Sequence, residues 1–120
     1  MAVPILAEAF NLPTGGDHRF HCIHVEDVVR AVLMATETRE MKGRIFNIAG
    51  DRSWTLHESV NLIRKIMPEA PIEIGDGYWH LDRHGEWDMS AAERELGCRA
   101  QWSLEKGLLH YSDGLCDHEY

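Results

Sequence analysis

The stretch Val25-Glu26-Asp27-Val28-Val29-Arg30-Ala31-Val32-Leu33-Met34-Ala35-Thr36-Glu37-Thr38, followed after a loop ending at Gly43 by Arg44-Ile45-Phe46-Asn47-Ile48, decides the fold class. In its first part Val25, Val28, Val29, Val32, Leu33 and Thr36 recur at i, i+3, i+4, i+7, i+8 and i+11, the period of one helix face. Glu26 and Asp27 fall in the first turn, where negative charge suits the helix dipole. The second part is short, apolar and β-prone, and Ala49-Gly50-Asp51 turns it. Helix and strand patterns in succession indicate a mixed α/β chain.

Working outward, Thr55-Leu56-His57-Glu58 has capping-box spacing and opens a helix with Leu56, Val60, Ile63 and Met67 on one face, closed by Pro68. Ser90-Ala91-Ala92-Glu93 has the same spacing, and Gly97 is placed as a left-handed C-terminal residue. A last helix starts near Ser103, with Leu104, Leu108, Tyr111 and Leu115 along one side. Upstream, residues 2–10 suit a short helix, Pro13 to Asp17 a turn, and His18 to His24 an extended stretch. Pro71-Ile72-Glu73-Ile74 reads as an edge strand, and residues 75–87 are aromatic, Gly-rich and irregular. The expectation is about five helices and three short strands in one partial domain spanning residues 1–120.

Bulk composition sets bounds on partners. An apolar share of 44% supports a core, and a charged share of 27% is too ordinary for a disordered chain. The net charge of -8 opposes nonspecific binding to nucleic acid or an anionic membrane, although a few local arginines still suffice to hold a phosphate. Cys22, Cys98 and Cys116 are far apart and odd in number, which favours free thiols in a reducing compartment. Residues 1–10 lack a basic start and are interrupted by Glu8, so they read as a helix rather than a signal peptide. The expected location is the cytoplasm.

Several chemistry-bearing patterns are weak or absent. His18, His21 and His24 alternate faces on an extended segment and do not converge on one ion, so no metal is expected there. No GxGxxG, GxxxxGK or GxSxG pattern occurs. Asp82 and Glu86 lie in a charged loop, where a carboxylate pair carries little information. Arg83 stands among Tyr78, Trp79 and Trp87. It is either a guanidinium fork for a diphosphate or a surface arginine paired with Asp82 or Glu86.

Five segments in order carry a family resemblance. His24-Val25-Glu26-Asp27-Val28-Val29-Arg30-Ala31 resembles the HVxDVxxA segment of the extended short-chain dehydrogenase/reductases, the NAD-dependent epimerases and dehydratases of nucleotide sugars. Gly43 to Gly50 resembles their GxxFNIGG strand, and Thr55 to Glu58 the helix start after it. Asp88 to Gly97 resembles DxSxAxxxLG, and Ser103 to Leu108 resembles the closing SLEEGL. The match runs from about Thr14 to Leu115.

The resemblance implies the C-terminal, substrate-side part of that α/β fold. Residues 25–48 would give edge elements to the Rossmann-like sheet, and the remainder the lobe over the sugar nucleotide. The family's Gly-rich dinucleotide turn and its Tyr-x-x-x-Lys pair have no counterpart: Tyr78 is followed four residues on by Asp82, and Tyr111 by Leu115. No catalytic residue is therefore expected in this chain, and whether it counts as an enzyme stays open. NAD or NADP is implied for the intact enzyme, with none held by this chain alone, and the chain reads as truncated, split or a fragment. Its implied partners are a nucleotide-sugar substrate and a nucleotide-binding half, with no nucleic acid and no membrane.

Family members grip the ligand phosphates with two arginines. The position before HVxD is held here by Phe20, with Arg19 one residue earlier, and a one-residue shift reverses the face of a strand. The position before DxSxA is matched by Arg83. The alternatives to a non-catalytic substrate-binding portion are an interaction module, a split-enzyme subunit, or part of an NADP-dependent carbonyl reductase of the same family.

Overall fold

Local sequence signals account for most element starts. In the computed structural model, which describes residues 9–79 and 85–117, eight elements follow one another. They are β1 (Phe10–Leu12), β2 (Arg19–His21), α1 (Val25–Glu37), β3 (Ser53–Thr55), α2 (Leu56–Ile66), β4 (Ile72–Ile74), α3 (Ser90–Leu96) and α4 (Leu104–Asp117). β1 pairs with β4 in parallel, Phe10 opposite Ile72 and Leu12 opposite Ile74. β2 and β3 form a second two-stranded sheet.

The mixed α/β class stands, with four helices and four short strands among the described residues. The proposed helix over residues 2–10 falls mostly outside the described residues, and its last residue, Phe10, begins β1 instead. Pairing with Ile72–Ile74 decides that conformation, since cross-strand contacts override weak local preference. Arg44–Ile48 forms no ladder among the described residues, and Ile45 is 88% exposed. A β-prone segment without a neighbouring strand has nothing to bond its amides to, so the expected strand stays irregular. No helix among the described residues is long and apolar enough to cross a membrane.

The chain divides into two compact units. The first comprises residues 1–20, 54–84 and 105–120. Within it α2 is held at its start by a reciprocal capping box: the Glu58 amide donates to Thr55 Oγ1 at 3.1 Å, and the Thr55 amide to Glu58 Oε2 at 2.8 Å. Among its described residues Val60, Leu62 and Ile72 are the buried apolar ones, and Arg64 donates to the Ile72 carbonyl at 2.6 Å. Leu62, outside the predicted stripe of Leu56, Val60, Ile63 and Met67, is buried, while of that stripe only Val60 is buried and the other three are half-buried.

The second unit comprises residues 21–53 and 85–104. Its core is Ala31, Ala92, Leu96 and Cys98, with Met34, Ala35, Phe46 and Ile48 packed around them. α1 meets this core through Ala31, not through its valine stripe. Val25, Val29, Val32 and Leu33 all remain exposed, Val25 by 67%. α3 ends at Gly97 with φ 66°, the left-handed residue anticipated from sequence. Its start differs from the expected capping box. Ser90 is already helical, the N-cap is Met89 with no side-chain cap bond, and the Ser90 amide donates to Asp88 Oδ1 at 2.9 Å. The Ser90 side chain first, and this amide bond second, hold the Asp88 carboxyl below the usual carboxylate range.

Candidate functional site

In the second unit the stretch between α3 and α4 closes on one buried carboxylate of the first resembling segment. Asp27, in the first turn of α1, is 2% exposed. It accepts from the Gln101 amide at 3.1 Å, from the Trp102 amide at 3.1 Å and from Arg30 Nη2 at 2.6 Å. Arg30 also donates to the Arg99 carbonyl at 2.7 Å. Burial alone pushes the Asp27 carboxyl up, but the Gln101 and Trp102 amides and the Arg30 guanidinium outweigh it and hold it below the ordinary range.

His24 works beside it. Its Nδ1 accepts from the Glu26 amide at 3.1 Å, capping α1, and its ring stacks on Trp102 with centroids 3.9 Å apart and planes 7° from parallel. The His–Val–x–Asp spacing therefore ties the start of α1 to the segment entering α4. Sequence reading had given Asp27 only a dipole role. The signal that marks it is an acid on the face of Ala31 and Met34, opposite the valine stripe and three residues after a capping histidine.

The Phe-Asn-Ile-Ala-Gly segment is fixed by similar means. Asn47 Nδ2 donates to the Asp88 carbonyl at 3.1 Å, and the amides of Lys42 and Gly43 donate to Glu95 Oε1 at 2.8 and 3.2 Å. At Gly50 the backbone of Cys22 comes so close that an added Cβ would sit 1.8 Å from its carbonyl oxygen. Both groups are main chain, so no side chain can turn aside. Gly50→Ala is expected to destabilise the protein by about 3 kcal/mol, the upper range for overpacking. Gly114→Ala, with nothing within 4 Å of the added Cβ in α4, is expected to be neutral or slightly stabilising. Urea denaturation of the two variants checks the contrast.

Between these segments lies a cavity of about 340 Å³, lined among others by Ile23, Asp27, Arg30, Asn47, Asp51 and Arg99. Cys98 also borders it, and burial raises its thiol pKa. Four of the charges around this cavity are engaged with one another: Arg30 with Asp27, and Arg99 with Glu93. The cavity thus offers shape and backbone groups more than an unsatisfied charge.

A serine, a histidine and an acid also meet in this unit, but not in nucleophilic order. Buried Ser53 donates its hydroxyl to Glu86, and Glu86 Oε2 lies 3.3 Å from His21 Nε2. The carboxylate stands between hydroxyl and imidazole, whereas activation of a serine needs the imidazole next to it.

The sequence-derived site residues are not gathered at the cavity. Arg19 is exposed on β2 and Phe20 beside it is half-buried, as expected for neighbours on opposite faces of a strand. Neither lines the cavity. Arg83 lies outside the described residues. Of the aromatics proposed around it, Trp79 donates to the Thr14 carbonyl at 3.0 Å and packs against His18, with centroids 5.1 Å apart. Trp87 packs against His21, and Tyr78 is exposed. The three cysteines form no disulfide.

No protein-family model matches the sequence, and no curated protein does either. Solved structures are similar in fold. UDP-glucuronic acid 4-epimerase from Bacillus cereus, in complex with UDP-glucuronic acid and NAD, superimposes over 92% of the chain and 36% of its own length, with a TM-score of 0.77 and 20% identity. UDP-glucose 4-epimerase from Thermotoga maritima, with UDP-glucose, matches over 90% of the chain and 36% of its own length, at a TM-score of 0.71 and 26% identity. An L-threonine dehydrogenase from Cupriavidus necator covers 94% of the chain and 41% of itself, at 0.73 and 21%. The chain thus spans 36% to 41% of the length of these three structures. It carries the fold of the matching portion of NAD-dependent nucleotide-sugar epimerases, the part of the extended short-chain dehydrogenase/reductase fold that its five segments resemble.

Proposed function

We propose that this chain is the substrate-binding portion of an NAD(P)-dependent nucleotide-sugar epimerase or dehydratase and performs no chemistry alone. The observation that supports this most is the superposition over 92% of the chain on an epimerase in complex with UDP-glucuronic acid and NAD. In this reading residues 1–120 are a single partial domain, working in the cytoplasm. The Gly-rich turn and the Tyr-x-x-x-Lys pair come from polypeptide outside these residues.

On this reading the dinucleotide is held by the rest of the polypeptide, and three of this chain's helix starts are already engaged. Pyrophosphate is usually taken by the free amides of a helix N-terminus. Here His24 caps α1, Thr55 and Glu58 close the start of α2, and Asp88 holds the first amide of α3. When bound in the complete enzyme, the nicotinamide would supply hydride transfer to and from the sugar. This chain would orient the ligand and exclude water, effects that act through positioning.

A second reading, a non-sugar oxidoreductase of the same fold, is favoured by the likeness to L-threonine dehydrogenases. Binding of UDP-sugars separates the two, and Arg83 is the residue expected to carry it. With a nucleotide-binding half supplied in the same polypeptide or by co-expression, Arg83→Ala is expected to weaken UDP-sugar binding by about 1.5–3 kcal/mol, the range for charge-assisted hydrogen bonds, and Arg19→Ala by less. Isothermal titration with UDP-glucuronic acid and UDP-glucose reads it. Unchanged affinity, or a larger loss from Arg19→Ala, would count against Arg83 as the phosphate contact. An assembled protein that takes neither UDP-sugar would favour the non-sugar reading.

A further inference from the structure

Three side chains of the first unit come from separate stretches and meet at one point. Asp17 follows the Gly15-Gly16 turn, His57 is the second residue of α2, and Asp76 follows β4. One imidazole nitrogen and one oxygen from each carboxylate lie within 4.8 Å of one another. His57 Nε2 and Asp76 Oδ1 are 2.9 Å apart.

The three stretches are locked together by main-chain bonds that leave most of the ligand atoms' lone pairs unspent. The Gly16 amide donates to the Gly75 carbonyl at 2.9 Å, the Asp17 amide to Gly77 at 3.0 Å, and the His57 amide to Gly16 at 2.9 Å. Thr14 Oγ1 donates to the Asp76 carbonyl at 2.8 Å. The Gly77 amide donates to Asp17 Oδ2 at 2.8 Å, fixing that carboxylate while its other oxygen keeps its lone pairs. A Cβ on Gly16 would fall 2.0 Å from His57 Nε2, so the bare glycine is what makes room for the ring.

We propose that Asp17, His57 and Asp76 bind one divalent transition-metal ion, with Zn²⁺ as the occupant. One imidazole and two carboxylates form a mixed nitrogen–oxygen set that suits zinc, while the imidazole makes it a poor match to Ca²⁺ or Mg²⁺. Two negative charges and a neutral ring balance a 2+ ion. Zinc bonds of about 2.0–2.2 Å in tetrahedral geometry place ligand atoms roughly 3.4 Å from one another. Closing from 4.8 Å takes only side-chain rotation, which Asp76, 92% exposed, is free to make. Three protein ligands leave a fourth position for water. The ion would join the start of α2 to the two turns and staple the first unit. The site escapes a sequence scan because its residues are scattered at positions 17, 57 and 76, whereas a scan looks for closely spaced ligands such as His18, His21 and His24.

The test is calorimetric titration of the chelator-treated, tag-free chain with Zn²⁺, together with Co²⁺ as an absorbance probe. One equivalent is expected, with cobalt bands of a four- or five-coordinate ion. His57→Ala and Asp76→Asn are each expected to weaken binding at least about tenfold, and zinc should raise the melting temperature of the parent chain but not of these variants. Asp76→Asn alters an exposed side chain, so its metal-free melting curve should match the parent and separate lost binding from lost folding. His110→Ala, an exposed histidine of α4, should leave the titration unchanged. Absence of saturable binding overturns the proposal. So does binding that survives His57→Ala, or that disappears instead with His18→Ala or His24→Ala.

Discussion

Asp27→Asn is expected to destabilise the protein by about 2–4 kcal/mol, the range for breaking a buried, hydrogen-bonded charge. The substitution keeps the shape and changes the chemistry. Asp27 takes two main-chain amides and a guanidinium, all donors. Asparagine would present its own N–H₂ to at least one of them, leaving a buried donor facing a donor. The pH dependence follows from the direction of the shift. Because the folded carboxyl lies below its ordinary value, its contribution is fully present above the unfolded pKa of about 3.9 and is lost as pH falls through the folded pKa. The stability gap between parent and variant should therefore be constant from neutral pH down to about 4 and shrink below it. Urea denaturation of both proteins at a series of pH values gives that gap directly, since every other titrating group is common to the pair. A gap that stays the same down to the lowest pH would assign the loss to packing rather than to charge.

Asp27 also shows where sequence reading succeeds and where it stops. Signals that depend on a few adjacent residues translated well: the Thr55–Glu58 box, the left-handed Gly97, and the boundaries of α1 and α2. Each is a local hydrogen-bond or steric preference that a linear string records. Signals that depend on a partner elsewhere did not translate. Phe10 turned out to be a strand residue because Ile72 lies beside it, and Arg44–Ile48 stayed irregular for want of a neighbour. Ser90 makes no capping bond because it is itself the first residue of α3, after Met89, and its amide goes to Asp88. The candidate sites follow the same division. The family segments could be found from sequence, yet the bonds from Asp27 to Gln101 and Trp102 cross more than seventy residues, and the Asp17–His57–Asp76 set joins two turns to the start of α2. No period or spacing encodes either.

The isolated 120-residue chain is expected to self-associate. α1 reads as strongly amphipathic, yet its apolar stripe is the side left open: Val25, Val28, Val29, Val32 and Leu33 are exposed, Val32 by 58%, while Ala31 and buried Asp27 face the core. Helix geometry makes residues at i, i+3, i+4 and i+7 neighbours, so these side chains form one continuous surface. Contiguous apolar patches on monomers seldom exceed a few hundred Å², and roughly 25 cal/mol is gained for each Å² withdrawn from water. Exposed Ile45, in a β-prone stretch that forms no ladder among the described residues, adds main-chain groups that can pair with another chain. Light scattering across a concentration series should show mass rising above the monomer. Replacing Val29 by Glu and Val32 by Lys together leaves the net charge unchanged and should restore a monodisperse monomer without altering the core. Co-expression with a matching nucleotide-binding half should do the same for the parent chain, because on the proposed reading that half covers this face. A parent chain that melts cooperatively as a monomer at high concentration would mean the valine face needs no cover. The interaction-module reading would then replace that of a substrate-binding portion.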